Sequence, residues 1–504
     1  MIAVTACASG ETPRNILWNS SFECGVGSGS WGVVRRVGPN VPELWHQDGW
    51  HGKHSLNLVK PVGSRLYKLG DKPGVWRLSM MARRISGQGK LTATLTNRNH
   101  YSQKREGVNA YQKGFTVGEE WKRIAFDSNI RSAHRPYFHI ELNGTGVLVD
   151  AIMLFRLEQP DEKTLSYHAV QDVETGVVIP EITKVYTGND ERLCFLMVAN
   201  NISRSLGTQV GYTILDVNEE PVRGKSLKLD LKPQETRRIP LSLEGLHHSA
   251  YRIRSTWRDG QQKGGGLVGI LPKVRQDYAT RWGCNASLGP ESLDFTIRVM
   301  KKLGMGFVST QSTGQFVGGW HLSEPEEGRY VWHLDVVKKL KKNSIEPVVY
   351  MYAARWPKWV AKTHGKDETK IAEAYGRFVH HLVKVYSEHV KFFVIQDETE
   401  RQNIVRNNGR LYRRMHVVAY EMAKKAAKDN GHDIFVSTNT VDVRWFHRLW
   451  DEIGSGYFDF LSANFTPLPS WSVDMLREQA SRKSGLKVFI SPAVGQQCRM
   501  RPTA

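Results

Sequence analysis

Residues 391–402 read KFFVIQDETERQ, an apolar run followed at once by Asp397, Glu398 and Glu400. Carboxyl groups gathered at the end of a buried strand are suited to general acid–base chemistry, provided burial or a like-charged neighbour keeps one of them protonated near neutral pH. Other combinations in the chain carry less. His247–His248 and His380–His381 are adjacent pairs, which point to opposite faces of a strand or lie about 100° apart on a helix, so neither chelates a metal by itself. The five cysteines, Cys7, Cys24, Cys194, Cys284 and Cys498, lack CxxC spacing and cannot all pair, which argues against a zinc site or a dense disulfide framework. GQGK at 87–90 lacks the P-loop frame, and GGG at 264–266 precedes no helix start that would cradle a phosphate. No cofactor and no metal are expected.

The elements that would position Asp397 and Glu398 come from a βα repeat beginning near Asp277. Strand candidates are RWGCNAS (281–287), GFVSTQ (306–311), EPVVYMY (346–352), KFFVIQ (391–396), DIFVSTN (433–439), DFLSANF (459–465) and KVFISP (487–492). Between them apolar residues recur at helical spacing: Leu293, Ile297 and Met300; Leu334, Val337 and Leu340; Ile371, Tyr375, Phe378 and Leu382. Near-continuous apolar strands alternating with helices imply a parallel sheet, and seven of them over about 230 residues predict a (β/α)8-type TIM barrel rather than an open sheet. No eighth strand is counted before Ala504, so the barrel reads as incomplete after strand 7. Function in such a barrel sits on the loops after the carboxyl ends of the strands, where Asp397 and Glu398 follow the fourth.

This segment resembles the clan A glycoside hydrolases, in particular family 39-like barrels, in which the fourth strand ends in Asn-Glu and the Glu is the general acid/base. The matching pair here is Asp397-Glu398, with Asp in place of Asn. WGCNASLG (282–289), YVWHLDVVKKLKKNSIEPVVYMYAARWPKW (330–359) and YFDFLSANFTP (457–467) extend the resemblance over about residues 278–495. It implies a glycosidase acting on a polysaccharide, with Glu398 as acid/base and Asp397 beside it. Trp320, Tyr352, Trp356, Asn439 and Asn464 are candidate sugar contacts by their strand-end location. Glycoside hydrolysis needs two carboxyl groups, about 5–5.5 Å apart for retention and wider for inversion. The clan places its nucleophile, a Glu, at the end of the seventh strand, where this chain has Ser491, Pro492 and Ala493. Two readings stay open: the chain is interrupted near residue 491 and QQCRMRPTA is an unnatural tail, or the domain lacks the retaining nucleophile and either inverts or only binds sugar. Asp442 is read as a helix N-terminal residue favourable to the dipole, and Glu324, Glu326 and Glu327 as loop charges.

The preceding 275 residues read as two β-sandwiches. From Asn15 to about Leu157 short alternating runs are punctuated by turn residues, with little helical periodicity. NILWNSSFECG (15–25), GKHSLNLV (52–59), VWRLSMMARR (75–84), EEWKRIAF (119–126) and GVLVDAIMLFR (146–156) resemble, in order, a family 4/9/22-like carbohydrate-binding jelly roll. In that fold Trp76 and Trp121 are core and Asp150 lies on the closing strand. Trp31, Trp45, Trp50, Tyr101 and Tyr111 are candidates for the aromatic platform on which a pyranose face stacks. Strand signals at 192–200, 209–217, 225–232, 235–243 and 250–257 suggest an immunoglobulin-like sandwich. The expected domains are therefore 1–14 (lipobox-like remnant and linker), 15–158 (jelly roll), 159–275 (immunoglobulin-like) and 276–504 (barrel).

Composition sets the remaining bounds. Of 504 residues, 40% are hydrophobic and 24% charged, ordinary for a globular protein, and no run approaches the ~18 apolar residues of a membrane span. Lys and Arg number 70 against 50 Asp and Glu, so the summed field attracts polyanions. No helix-turn-helix, zinc finger or RNA-binding motif accompanies that charge, which argues against nucleic acid; the expected partner is the polysaccharide or oligosaccharide that the resemblance implies, and an acidic or sulfated one would suit the charge. Val4-Thr5-Ala6-Cys7 before a Ser/Gly/Glu/Thr/Pro stretch resembles a bacterial lipobox, implying an extracellular, cell-surface or periplasmic protein whose membrane contact is a lipid on Cys7.

Overall fold

The computed structural model describes residues 15–24, 31–33, 44–59, 61–64, 67–68, 74–98, 109–130, 137–157, 167–188, 190–257, 261–273, 283–286, 288–289, 292–310, 317–353, 356–397, 409–440, 443–465 and 487–492. The chain divides into two compact units, Met1–Lys273 and Val274–Ala504. The first unit ends two residues short of the boundary expected at 275.

That unit opens with strands β1 (Trp31–Val33), β2 (Trp45–His46), β3 (Ser55–Asn57), β4 (Val62–Ser64), β5 (Tyr67–Lys68), β6 (Gly74–Arg84), β7 (Lys90–Arg98), β8 (Asn109–Thr116), β9 (Lys122–Ile130), β10 (Tyr137–Gly144) and β11 (Val147–Arg156). One sheet runs β1-β4-β10-β7-β8, with β5 also on β10, and the other runs β2-β3-β11-β6-β9. Period-two alternation builds the core between them. Leu91, Ala93 and Leu95 of β7 and Ile140 and Leu142 of β10 meet Trp76, Leu78 and Met80 of β6 and Val147 and Val149 of β11. Strand β11 is buried along nine of its ten residues because both its faces are covered. Its ladder to β6 slips between Asp150 and Met153, where Ala151 takes a left-handed φ of 49°. Asn15 clamps this bulge, its Nδ2 donating to the Ile152 carbonyl at 2.9 Å and its Oδ1 accepting from the Leu154 amide at 3.1 Å.

The rest of the unit contributes β12 (Val173–Val178), β13 (Val185–Thr187), β14 (Phe195–Asn200), β15 (Leu206–Leu215), β16 (Pro221–Leu231), β17 (Thr236–Pro240), β18 (Ser249–Trp257) and β19 (Gln261–Leu271). A three-stranded sheet, β12-β14-β17, and a five-stranded one, β13-β19-β18-β15-β16, enclose a second core around Val173, Leu196, Val198, Ile214, Ile253 and Ile270. The short β13 pairs parallel to β19. The glycine run 264–266 is the interior of β19, where a Cβ on Gly266 would lie 2.9 Å from Ile179 Cδ1 and one on Gly265 2.8 Å from the Ile253 carbonyl oxygen. Close packing accounts for these glycines.

Buried carboxylates tie the two halves of this unit together. Glu23 accepts from the Lys53 and His54 amides, both at 2.7 Å, and also from the Thr236 hydroxyl on β17. Glu174 on β12 accepts from the Asn19 amide at 3.0 Å. Tyr167 shares a 3.0 Å hydrogen bond with Ser20, and Cys24 packs against Met197 and Ala199. Burial pushes the Glu174 carboxyl up to about 7, opposed by the Asn19 amide and reinforced by the charge of Glu23. A raised folded-state value means that the folded chain binds more protons than the unfolded one between about pH 4.5 and 7. Stability is therefore full below that window and declines through it as pH rises, by roughly 3 kcal/mol for a shift of this size. Glu174→Gln is expected to flatten the decline: thermal unfolding at pH 5 and pH 8 should differ less in the variant than in the parent, and equal pH slopes would refute the assignment.

The second unit alternates strand and helix: β20 (Gly283–Asn285), α1 (Leu293–Leu303), β21 (Phe307–Ser309), α2 (Trp320–Ser323), α3 (Leu334–Lys342), β22 (Glu346–Met351), α4 (Lys358–His364), α5 (Glu368–Tyr386), β23 (Phe392–Ile395), α6 (Gly409–Asp429), β24 (Phe435–Thr440), α7 (Val443–Ile453), β25 (Phe460–Phe465) and β26 (Lys487–Pro492). All seven strands lie parallel, in sequence order from β20 to β26. An order with no reversal belongs to a barrel wall rather than to a doubly wound sheet, whose order switches direction. Among the described residues no ladder joins β26 to β20 and the barrel is not closed, although Cα atoms of these two strands come within 8 Å. Alternate strand residues serve two layers. Val349, Met351, Phe393, Ile395 and Val436 pack with helix residues such as Ile371, Tyr375, Phe378 and Leu382, the last four being the expected apolar stripe of α5. Val348, Tyr350, Val394 and Phe460 form a separate inner cluster with Phe307, Phe392 and Phe435. Asp367 caps α5, its Oδ1 accepting from the Thr369 and Lys370 amides at 3.0 and 3.1 Å.

Candidate functional site

The carboxyl ends of the parallel strands bring together Ser309 at the end of β21 and Thr310 after it, Tyr352 after β22, Gln396 and Asp397 after β23, and Asn439 and Thr440 at the end of β24. Neighbouring strands are about 4.8 Å apart, so these positions form one polar rim above the aromatic inner layer. Asp397 is half-buried. Glu398, Glu400 and Asp442 lie outside the described residues.

Backbone geometry singles out the position just before the carboxylates. Gln396 has φ of 67°, a left-handed conformation costly for a residue with a Cβ. Its side chain is buried, its Oε1 accepts from the Ala353 amide at 2.7 Å, and its Nε2 has no partner among the described residues. The apolar strand thus turns sharply at Gln396, and the loop bearing Asp397 leaves the wall there. Behind the turn, Thr438 of β24 donates to the Ile395 carbonyl at 2.7 Å and shares a 2.8 Å hydrogen bond with Tyr412 of α6. His416, one turn on, is fully buried, and burial lowers its pKa to about 4, so the ring is neutral. Its Nε2–H donates to the Tyr457 carbonyl at 3.1 Å, which fixes the tautomer.

The expected sugar contacts separate on inspection. Trp320 is fully buried: its indole N–H donates to Glu324 at 2.8 Å, and its rings pack on Trp359, Tyr375 and Phe378. It offers no face to a ligand and is a core residue of the helix layer. The chain beyond Val317 climbs to the end of β22 instead of staying with β21, with the Tyr352 amide donating to Gly318 O and the Trp320 amide to Tyr352 O, each at 2.9 Å. Gly318 permits this crossing, since a Cβ there would lie 2.0 Å from the Tyr350 carbonyl oxygen. Asn439 is buried too, whereas Tyr352 and Trp356 are half-buried, the latter packed against the helix-layer core. Asn464 is placed by its backbone, in register with Ser491 of β26. Glu324 departs from the expected loop charge: it is buried, accepting from Trp320 and from the Gly328 amide at 2.9 Å, and is an internal anchor of its loop.

In the first unit Trp76 is core as expected, 5.3 Å from the Phe138 ring, but Trp121 is half-buried on the outer face of its sheet. Trp31 is core. Trp45 donates to the Phe22 carbonyl at 2.7 Å and stacks on His54, and the Tyr111 hydroxyl donates to the Asn129 carbonyl at 2.5 Å. Tyr101 lies outside the described residues. Trp50 alone of these described aromatic candidates is substantially open, at 42% exposure. Asp150 is fully buried on β11, accepting from the His51 and Ala151 amides at 2.7 and 2.6 Å. Among the described residues no group of three His, Cys, Asp or Glu side chains is placed to hold a metal ion.

No protein-family model matches the chain, and no curated protein does. Among solved structures, the native xylanase 10B of Thermotoga maritima is 12% identical over 43% of this chain and 72% of its own, with a TM-score of 0.32. The xylanase XynB of Paenibacillus barcinonensis is 14% identical over 44% of this chain and 74% of its own, with a TM-score of 0.31. The β-glucuronidase of Bacteroides uniformis is 11% identical over 95% of this chain but 58% of its own, with a TM-score of 0.27. At such values the architecture rests on strand order and pairing.

Proposed function

We propose that the chain is a carbohydrate-active protein that hydrolyses glycosidic bonds in a polysaccharide, with Glu398 as general acid/base. The observation that carries this reading is the placement of Asp397 where β23 leaves the wall through the strained Gln396; Glu398 follows it in the sequence. Functional groups of sequentially ordered parallel β/α walls sit at such strand ends, and backbone strain concentrates where groups are held for function. The family 39-like barrel, the carbohydrate-binding jelly roll at 15–158 and export with a lipid on Cys7 belong to the same proposal, and residues 1–14 lie outside the described residues.

A second reading is favoured by the residues of β26. Ser491 and Pro492 bring no carboxylate to the end of the seventh strand, so a surface glycan-binding protein without turnover fits the same rim. Release of reducing ends from neutral and uronate-containing polysaccharides separates the two. Turnover on any of them supports the hydrolase, while retention of a polysaccharide without release, over a long incubation at several pH values, replaces it with the binder.

A further inference from the structure

We propose that Trp50 and Arg123 form a subsite for an anionic sugar residue of a polysaccharide, on the outer face of the β6/β9 ladder; this rests on reading the first unit as carbohydrate-binding. Residues 76, 78 and 80 of β6 face the core, so Arg77, Ser79, Met81 and Arg83 face outward. In register with the first three stand Asp127, Ala125 and Arg123 of β9. Among the described residues of β6 and β9, the charges on this face are paired except for Arg123. Arg77 forms an ion pair with Asp127, Nε to Oδ1 at 2.7 Å, and Arg83 pairs with Asp48 while lying 5.2 Å from the centre of the Trp121 ring. Arg123 has no carboxylate partner among the described residues. Its Nη1 donates to the buried Ser79 hydroxyl on the same face at 3.1 Å, and its guanidinium carbon lies 5.5 Å from the centre of the Trp50 ring.

The half-buried Arg123 is thus a partly desolvated cation with no counter-ion among the described residues, and burial alone lowers its pKa. Such a charge gains from an anion that can meet its planar donors in pairs, as carboxylate and sulfate oxygens do. Beside it Trp50 is the one tryptophan among the exposed large apolar side chains of the described residues. An indole presents an apolar face to the C–H groups of a pyranose. A ring carrying a carboxylate or a sulfate ester satisfies both neighbours together, whereas a neutral sugar leaves Arg123 unpaired.

The chain carries a net charge of +20, so any polyanion is attracted without a specific site, and the test must compare variants of equal charge. Affinity electrophoresis of the full chain through polygalacturonate, dextran sulfate and neutral xylan is the measurement. Arg123→Met and Trp50→Ala should each weaken retardation by at least one anionic polymer about tenfold or more. Lys113→Met, which removes an exposed charge from β8 on the other sheet, should change it less than twofold. Loss on polygalacturonate identifies a carboxylate ligand and loss on dextran sulfate a sulfated one. Arg123→Lys, which keeps the charge and loses the paired donors, should fall between Arg123→Met and the parent. Near-ultraviolet circular dichroism checks that each variant is folded. Identical behaviour of Arg123→Met and Lys113→Met on both anionic polymers overturns the subsite, as does an equal loss on neutral xylan. If the parent is retarded by none of the three polymers, the carbohydrate reading of the first unit falls and the subsite with it; retardation by xylan alone removes only the subsite.

Discussion

Glu398→Gln should lower hydrolysis of any polysaccharide that the parent cleaves by about 10²- to 10⁴-fold while leaving its binding intact. Glutamine keeps the size and polarity of the side chain and removes the transferable proton, so the loss falls on kcat rather than on affinity. The sign of the pH dependence follows from the role. An acid must be protonated to act, so the parent's rate falls as pH rises through the Glu398 pKa, and that alkaline limb should be absent from whatever activity the variant retains. Initial rates of reducing-end release across pH 4–9, set beside affinity electrophoresis on the same polymer, measure both quantities. A variant that hydrolyses as fast as the parent removes Glu398 from the mechanism, and a drop in binding matched to the drop in rate makes it a ligand contact.

Trp320→Ala should be the most damaging change to the second unit. The side chain is fully buried among Trp359, Tyr375 and Phe378, and deleting a buried aromatic of this size costs about 3–5 kcal/mol. The same change removes the indole donor from the buried Glu324 carboxylate, which then retains the Gly328 amide and Tyr330, and losing a hydrogen bond to a charged group adds roughly 1.5–3 kcal/mol. Whole domains are stable by only about 5–15 kcal/mol, so a cooperative unfolding transition assigned to this unit should move to much lower urea or vanish. Trp320→Phe keeps an aromatic ring and loses the donor, and should fall between the two. A midpoint for Trp320→Ala within error of the parent would show that the ring is not structural.

Much of the second unit is legible in its sequence because parallel strands buried on both faces read as apolar runs. The seven runs at 281–287 through 487–492 correspond to β20 through β26, and the stripe Ile371, Tyr375, Phe378, Leu382 is the buried face of α5. In the second half of the first unit β12, β13 and β19 escape the same reading. The alternation of β19 is erased by Gly264, Gly265 and Gly266, and β13 is three residues long. Strand-end placement was legible where position along a strand decides the matter, as for Asp397 after β23. They were obscure where a loop's later path decides: Trp320 follows β21 in sequence, yet the crossing at Gly318 carries it into the helix layer. Exposure among Trp31, Trp45 and Trp50 was equally hidden, because all three lie in similar loop-and-strand contexts and only packing from distant segments separates them. The left-handed turn at Gln396 had no compositional signal, since glycine is the residue that ordinarily marks such a conformation.

The clamp of Asn15 on the bulge of β11 has a consequence for how the chain is made. Its partner carbonyl, on Ile152, lies 137 residues further along, so the first sandwich cannot be locked until β11 has left the ribosome. Contacts this distant in sequence cost loop-closure entropy before they return any stabilisation, and they slow folding. In the second unit each parallel strand instead pairs with the next one in the chain, so its wall can lengthen by one strand at a time as synthesis proceeds. The nascent N-terminal segment therefore waits, with Leu17 and Phe22 of the later core still uncovered, for the longest interval of any part of the first sandwich. That interval is when a chaperone, or another nascent copy, has access to it.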